Sequence, residues 1–396
     1  MNTKATPLGD SGRLDWIDAA RGLAILGIFM VNVPAFNAPY FLYGGQGEFW
    51  SSPVDRTVQS IVDIFFQASF YTLFSFMFGF GIQMMKDRLE ERGISHLPVI
   101  YRRLFVLTGF GMVHAFLIWH GDILLSYGVL GLILPVFFQV SPGFLLGWAF
   151  GLLGILTLPF TLALYVSRGQ FQGSVNRPAI ESALSNYGNG SLLDIWQQNF
   201  TDWQYANAIG NLPFLVLSLV PMFLLGMYVC RKRWLHEPDA HRSTILKVWV
   251  VTGILFVALK AGPHFYGNPF WFGLMQDGAG GSASAIFYVL SITLLFRTEM
   301  GARLASPLVW VGRMSLSNYI LQSIFCFVLF YSAGFGLYGK VAPAGSMTIV
   351  ILFYMIQVFL SRFWLKNYRY GPLEWLWRTL TYGQKQPNKR RKKAVS

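Results

Sequence analysis

Apolar runs separated by short polar segments set the pattern of this chain. They fall near residues 22–41, 58–85, 104–120, 122–139, 143–166, 211–230, 246–262, 283–296, 315–334 and 346–365. Most approach or exceed the roughly 20 residues a helix needs to cross a bilayer. Strict alternation of apolar and polar positions, the mark of a membrane β-barrel, is absent. The pattern therefore predicts an all-α polytopic membrane protein with about ten transmembrane helices. The second run carries Asp63 and Gln67 and is longer than one straight crossing requires, so its first turns belong on the surface or inside the bundle. The eighth run is the shortest, and if it failed to cross, everything after it would be inverted.

Composition agrees with that pattern. Of the 396 residues 54% are hydrophobic and 12% charged, against about 25% charged in soluble domains. The net charge of +13 lies between the apolar runs. With both termini inside, only Arg56, Arg168, Arg177, Lys260 and Lys340 of the 31 Lys and Arg fall outside. The positive-inside rule then gives cytoplasmic termini and an external polar cap at about 167–210. A cap of that length is expected to be ordered. The KRRKK tail accompanies no nucleic-acid recognition module, so it predicts topology or an anionic-lipid contact. Residues 1–383 read as one transmembrane helical domain and 384–396 as a basic disordered tail. Cys230 and Cys326 lie in apolar runs, as small buried hydrophobes do. No cleavable signal peptide is evident, because the first run starts only near Leu23 and lacks a cleavage site.

Candidate chemistry concentrates in residues 102–128. His114 lies ten residues into the third run, about 15 Å from its start. A neutral imidazole there can accept a proton or attack an acyl carbon, and it can equally tie two helices together. His120 and Asp122 fall in the turn that follows. Asp122 can orient an imidazole, although on an ideal helix rise it stands about 12 Å from His114. His114 and His120 are six residues apart and project from different sides of one helix. Arg102 and Arg103 sit at the inner mouth of the run, where they attract an anionic donor or only fix topology.

Other polar positions are more ambiguous. Asp18 and Arg21 are three residues apart and can pair; Arg21 stands at the membrane edge, where it can bind phosphate or anchor the span. Asn32 is a polar tie or a substrate contact. Asp63 shares a helical face with Gln67 and can serve as a base towards an external acceptor, or as a cap. His264 lies in an external loop near the outer mouth. Asn318 and Gln322 face together as a polar seam. FSFMFGFG at 74–81 reads as close helix packing through glycine, since no strand and no Lys-Ser/Thr flank it. Glu374 and Arg378 are four apart on a short amphipathic helix, 373–380, that starts at Gly371-Pro372. No metal-binding motif is present.

Several blocks are similar to the DUF418, or YeiB-like, family of bacterial membrane proteins. They are RLDWIDAARGLAILGIFMVN (13–32), FYTLFSFMFGFGIQ (70–83), YRRLFVLTGFGMVHAFLIWHGDILLSYGVLG (101–131), GRMSLSNYILQSI (312–324) and GPLEWLWRTLTYG (371–383). The family resembles a broad superfamily of transmembrane acyltransferases, which includes acyltransferase-3 proteins and lysosomal heparan glucosaminide acetyltransferase. Arg21-Gly22 resembles the motif shared across that group. The resemblance implies a multi-pass protein of the bacterial cytoplasmic (inner) membrane, carrying an acyl group from a cytoplasmic thioester to an acceptor across the membrane. It gives His114 the role of the essential histidine.

Acyl transfer is the leading expectation. Asp122, His120 and Asp63 would assist His114, while Arg21, Arg102, Arg103 and Asn32 would hold the donor. That donor would be acyl-CoA or a similar thioester as co-substrate, with no tightly bound cofactor. The acceptor would be an external sugar, lipid or envelope component. Membrane lipids are the expected surroundings, a homodimer is compatible, and nucleic acid is not expected. A transporter or exporter of a small amphiphile fits ten spans as well, and a non-catalytic scaffold or sensor is the third reading.

Overall fold

The computed structural model describes residues 13–169 and 175–390. The described chain is built almost wholly of helices. α1 (Asp15–Asn37) is followed by the short α2 (Tyr40–Tyr43) and α3 (Gln46–Phe49), then α4 (Pro53–Phe65) and α5 (Ser69–Glu91). Next come α6 (His96–Leu117), α7 (Leu124–Gly131) and α8 (Pro142–Val166). α9 (Arg177–Asn189) and α10 (Leu192–Ala206) form the cap. α11 (Leu212–Arg231), α12 (Arg242–Phe256), α13 (Gly273–Met275) and α14 (Gly281–Leu295) follow. The chain closes with α15 (Glu299–Arg313), α16 (Ser315–Phe330), α17 (Pro343–Asn367) and α18 (Pro372–Tyr382).

Among the described residues, eight helices are long and apolar enough to cross a membrane, or nine if the bent pair α15–α16, meeting at 71°, counts as one. Two ends of the bundle can be told apart by their contacts. At one end the start of α1 meets the basic 231–242 connection, where the Trp16 indole donates to the Leu235 carbonyl at 2.9 Å. We call this the basic side. At the other, the cap side, the end of α1 meets the 331–342 connection: Asn37 Nδ2 donates to the Val341 carbonyl and the Asn37 carbonyl accepts from the Gly339 amide.

The expected fourth span, 122–139, is not one helix. It consists of α7 and a 3-10 helix, Leu134–Gln139, with Pro135 in its first turn. Proline supplies no amide hydrogen and ends the α-helical ladder. The segment still runs the length of α6. Gly111 lies against the Leu125 backbone and Gly128 against Thr108, and Phe138 reaches the His96 ring with centroids 5.5 Å apart.

Other boundaries moved for identifiable reasons. α6 starts at His96 rather than near 104 and stops at Leu117. The second run breaks at Ala68, which has a left-handed φ of 58°, so α4 and α5 are separate. The short eighth run belongs to a 26-residue helical stretch, Phe270–Leu295, that contains a π-helical segment at Gln276–Gly280. α15, unexpected from the sequence, packs on the first turns of α1. A Cβ on Gly22 would strike the Leu308 carbonyl, and one on Gly312 the Asp18 carbonyl. In the FSFMFGFG run Gly79 likewise rests on the Phe223 backbone. The tail is not free throughout. Trp375 Nε1 donates to the Gln386 carbonyl at 2.8 Å and the Arg390 amide to the Asn367 carbonyl at 2.9 Å. Residues 391–396, the end of the KRRKK run, lie outside the described residues, as do 1–12 and part of the cap, 170–174.

The α1–α15 contact yields a stability prediction. Gly22→Val is expected to cost about 1–3 kcal/mol or more through overpacking. Gly151→Ala, whose Cβ meets nothing within 4 Å, is expected to stay within about 0.5 kcal/mol. Thermal unfolding of both variants in lipid nanodiscs measures the difference. Equal melting temperatures would mean that α1 and α15 are not in backbone contact.

Candidate functional site

Two cavities of about 280 Å³ each approach one another inside the bundle. The basic-side cavity is lined by Arg13, Arg21, Arg88, Arg92, Arg103, Arg313 and Arg378, with Asp18 and Glu374 as its carboxylates. Both carboxylates are engaged. Asp18 accepts from Arg13 Nε at 2.8 Å and from Arg21 at 3.3 Å. Glu374 does not pair with Arg378. It accepts from the Leu316 and Ser317 amides at 2.7 and 3.0 Å, and so caps the start of α16, where a negative charge suits the helix dipole. Burial pushes its carboxyl pKa up, while the bonds from Ser317 and Leu316 pull it back. Arg378 lies over the Tyr370 ring at 4.7 Å and Arg103 over Trp377 at 3.7 Å. The cavity thus has a strongly cationic mouth and an apolar interior of Ile25, Ile28, Leu107 and Tyr127.

Arg102 is exposed and lies outside this cavity. Neighbouring positions on a helix point about 100° apart, so only one of the two arginines faces inward. Asn32 also departs from its expected place beside the donor. It stands eleven residues above Arg21, about 16 Å along the helix, and lines the cap-side cavity instead. That cavity is mostly apolar, with Gln67, Tyr71, Trp119, His120, Asp202 and Tyr338 among its polar-capable walls. Ile28, Ile123 and Tyr319 line both cavities.

His114 and Asp122 lie directly behind this shared wall. α6 ends three residues after His114, and the Ile118 and Trp119 amides both bond to the His114 carbonyl. The chain then folds back, which removes the 12 Å separation an unbroken helix would impose. His114 Nδ1 is 2.7 Å from Asp122 Oδ1, and Nε2 is 2.8 Å from the Ser323 hydroxyl. Asp122 Oδ2 accepts from the Leu125 amide at 2.5 Å, fixing it at the start of α7. With a neutral ring, Nδ1–H donates to Asp122 and Nε2 accepts from Ser323. His114 is fully buried, lies in the last turn of α6 rather than near its middle, and lines neither cavity. Its ring packs against Tyr319 with centroids 5.1 Å apart.

His120 turns to the cap instead of joining His114. Its Nδ1 faces Asp202 Oδ2 at 3.7 Å. Asp202 is a buried hub that accepts from Tyr43 at 2.6 Å, Tyr187 at 2.9 Å and Gln198 at 2.6 Å. Asp63 belongs to a third cluster that touches neither cavity. Its Oδ2 accepts from His264 at 2.8 Å, Asn268 at 3.0 Å and Gln276 at 3.2 Å. Beside it the fully buried Lys260 lies 3.1 Å from Asp277. Lys260, counted from the sequence as an external charge, is instead sealed in a π-helical segment, Val257–Ala261. Asn318 and Gln322 form a helix tie to α17 through Ser361 and Gln357, at 3.0 and 2.8 Å.

Sequence reasoning missed Ser323 and Asp202. Ser323 carries no local signal, being an ordinary serine one helical turn beyond Tyr319. Asp202 had one weak signal, its four-residue spacing from Gln198. Carboxylate, imidazole and hydroxyl in this order are the groups that activate a hydroxyl towards acyl carbon in many hydrolases. Here they stand against the wall between a cationic and a nearly neutral cavity.

Comparison with known proteins agrees with the blocks quoted above. Residues 229–384 match a family model described as "Protein of unknown function (DUF418)". The chain is 37% identical to the uncharacterized protein YxaH of Bacillus subtilis, with 95% of this chain and 96% of the relative aligned. It is 29% identical to the uncharacterized protein YeiB of Escherichia coli, over 92% and 95% of the two chains. An uncharacterized 39.9 kDa protein from the amylase 3' region of Bacillus acidopullulyticus is 28% identical over 96% and 97%. The likeness to YxaH runs nearly end to end, and the chain belongs to the DUF418, YeiB-like family of helical membrane proteins.

Proposed function

We propose that this protein transfers an acyl group from a thioester donor in the basic-side cavity to an acceptor in the cap-side cavity. The observation that carries the proposal is the shared wall of Ile28, Ile123 and Tyr319, with the His114–Asp122 pair immediately behind it. A donor rich in phosphate, such as acyl-CoA, suits the arginine mouth, because guanidinium groups bind phosphate in a fork geometry. The apolar interior above Arg21 suits the acyl arm. His114 is the proposed base, held by Asp122, and its proton path from the wall runs by way of Ser323. The acceptor is an uncharged sugar, lipid or envelope hydroxyl, since among the described residues no arginine or lysine lines the cap-side cavity.

The same proposal includes the membrane setting. The long helices, the bent pair and the returning 122–139 segment make ten crossings. The chain is then one transmembrane domain in the bacterial inner membrane, with both termini cytoplasmic and the cap external. The surplus of Lys and Arg on the basic side supports that orientation. Two observations favour other readings. His120 lines the acceptor cavity and faces Asp202, so it is the alternative base. Two cavities on opposite sides of a thin wall also suit a carrier of a small amphiphile, which would need a second access state.

Release of free thiol from acetyl-CoA and longer acyl-CoA esters, with an alkyl glycoside as acceptor, tests this in nanodiscs. His114→Gln is expected to lower kcat by about 10²- to 10⁴-fold while the protein stays folded. Loss only in His120→Gln reassigns the base to His120. Full turnover in both variants eliminates either histidine as the base. Carriage of the intact acyl ester with no thiol released favours the carrier.

The donor mouth makes a separate prediction. Arg103→Ala is expected to raise the donor KM by about 10- to 100-fold, the effect of one charged hydrogen bond of about 1.5–3 kcal/mol. Arg102→Ala should leave it unchanged. Titration of donor at increasing salt separates the two, and equal effects would remove Arg103 from the donor site.

A further inference from the structure

Acyl transfer places its largest new charge on the former carbonyl oxygen, and a preorganised donor there usually gives the largest single gain in rate. The proposed base and donor mouth leave that charge unheld. Three side chains wall both cavities, and among Ile28, Ile123 and Tyr319 only the tyrosine has a polar end. Tyr319 is 4% exposed, and its hydroxyl makes no hydrogen bond among the described residues. Leaving such a group unpaired costs about 1–3 kcal/mol. Two buried tyrosines of the same core are paired, Tyr127 donating to the Tyr71 carbonyl at 2.7 Å and Tyr354 to the Gly22 carbonyl at 2.8 Å, while Tyr331, just past the far end of α16, shares the unpaired state but lines neither cavity. The Tyr319 ring is backed by His114, which Asp122 and Ser323 hold in place.

Resting on the acyl-transfer reading, we infer that the Tyr319 hydroxyl is the oxyanion donor of this site. The acceptor oxygen forms a bond to the thioester carbon, and its proton passes by way of the Ser323 hydroxyl to His114 Nε2. The carbonyl π pair moves onto the carbonyl oxygen, where the Tyr319 O–H receives it. The carbonyl then re-forms, the carbon–sulfur bond breaks, and the thiolate leaves with the proton returned from His114. The position of the residue suits an oxyanion donor. The oxyanion forms where donor and acceptor meet, and Tyr319 is the polar member of the wall they share.

Tyr319→Phe keeps the wall and removes only the O–H. In the thiol-release assay it is expected to lower kcat by about 10²- to 10³-fold, with both KM values and the melting temperature unchanged. Fluorotyrosines of graded acidity at position 319 should change kcat in step with phenol acidity, a response that a packing role would not give. A wild-type kcat in Tyr319→Phe, or a loss of turnover matched by a lower melting temperature, overturns the assignment. If the wild-type protein transfers no acyl group from any thioester, the acyl-transfer reading and this inference fall together. An active wild type beside an equally active Tyr319→Phe overturns this inference alone.

Discussion

The His114–Asp122 contact constrains the centre of this protein more than any other interaction. A carboxylate and an imidazole with no solvent exposure are tolerated in a hydrocarbon-like interior only if each satisfies the other. Satisfying them dictates the local chain path. α6 must stop within a turn of His114, the chain must reverse over residues 118–122, and α7 must return close enough for Asp122 to reach back. The return is allowed where Gly111 and Gly128 let the two backbones approach. Ser323 completes the arrangement from α16, so one imidazole holds three separate parts of the chain. The same contacts fix the tautomer, leaving Nε2 as the acceptor nitrogen.

Charge is segregated along the bundle axis, and this gives the wall its meaning. The basic-side cavity gathers arginines whose partner carboxylates are already engaged by ion pairing or helix capping. The cap-side cavity has few ionisable groups, and its carboxylate, Asp202, is saturated by two tyrosines and a glutamine. The basic-side cavity therefore suits a molecule with an anionic head at its mouth and an apolar part against the wall. Only the uncharged part of such a molecule can come to rest against Ile28, Ile123 and Tyr319 without a large desolvation cost. On the proposed acyl-transfer reading, this would put the thioester at the wall and its phosphates at the mouth.

The sequence was legible where a single physical signal governs. Long apolar runs located most of the helices that are long and apolar enough to cross a membrane, because bilayer thickness fixes the number of residues. It was less legible where two signals compete. Residues 122–139 read as one span by hydropathy, yet Pro135 divides them into unlike helices. α15 itself carries charged positions such as Glu299 and Arg303, so hydropathy leaves the stripe it buries against α1 outside the apolar runs. His114 and Asp122 stood out as ionisable groups within and beside an apolar run. Their proximity did not, since it depends on a reversal that an ideal helix rise cannot represent. Arg102 and Arg103 could not be separated before the phase of α6 was known. Ser323 and Asp202 gain their importance only from neighbours more than a hundred residues away or on another helix. Asp63 drew attention as a lone carboxylate in an apolar run, and it proved to belong with His264 and Lys260.

Whether the wall is a reaction plane or a gate turns on how rigid it is. Ile28 stands on α1, whose lower half is seated against α15 at Gly22 and Gly312 with no side chain between the backbones. Tyr354 adds a hydrogen bond from α17 to the Gly22 carbonyl. Ile123 is the residue next to Asp122, so moving it strains the buried pair. Tyr319 is pinned by the His114 ring behind it. Opening the wall by rocking one bundle half would disturb at least one of these contacts, and packed interfaces resist continuous deformation. A fixed wall serves group transfer well, because the reacting atoms need meet only across one layer of side chains. It serves a carrier poorly, because a carrier must open that layer in every cycle.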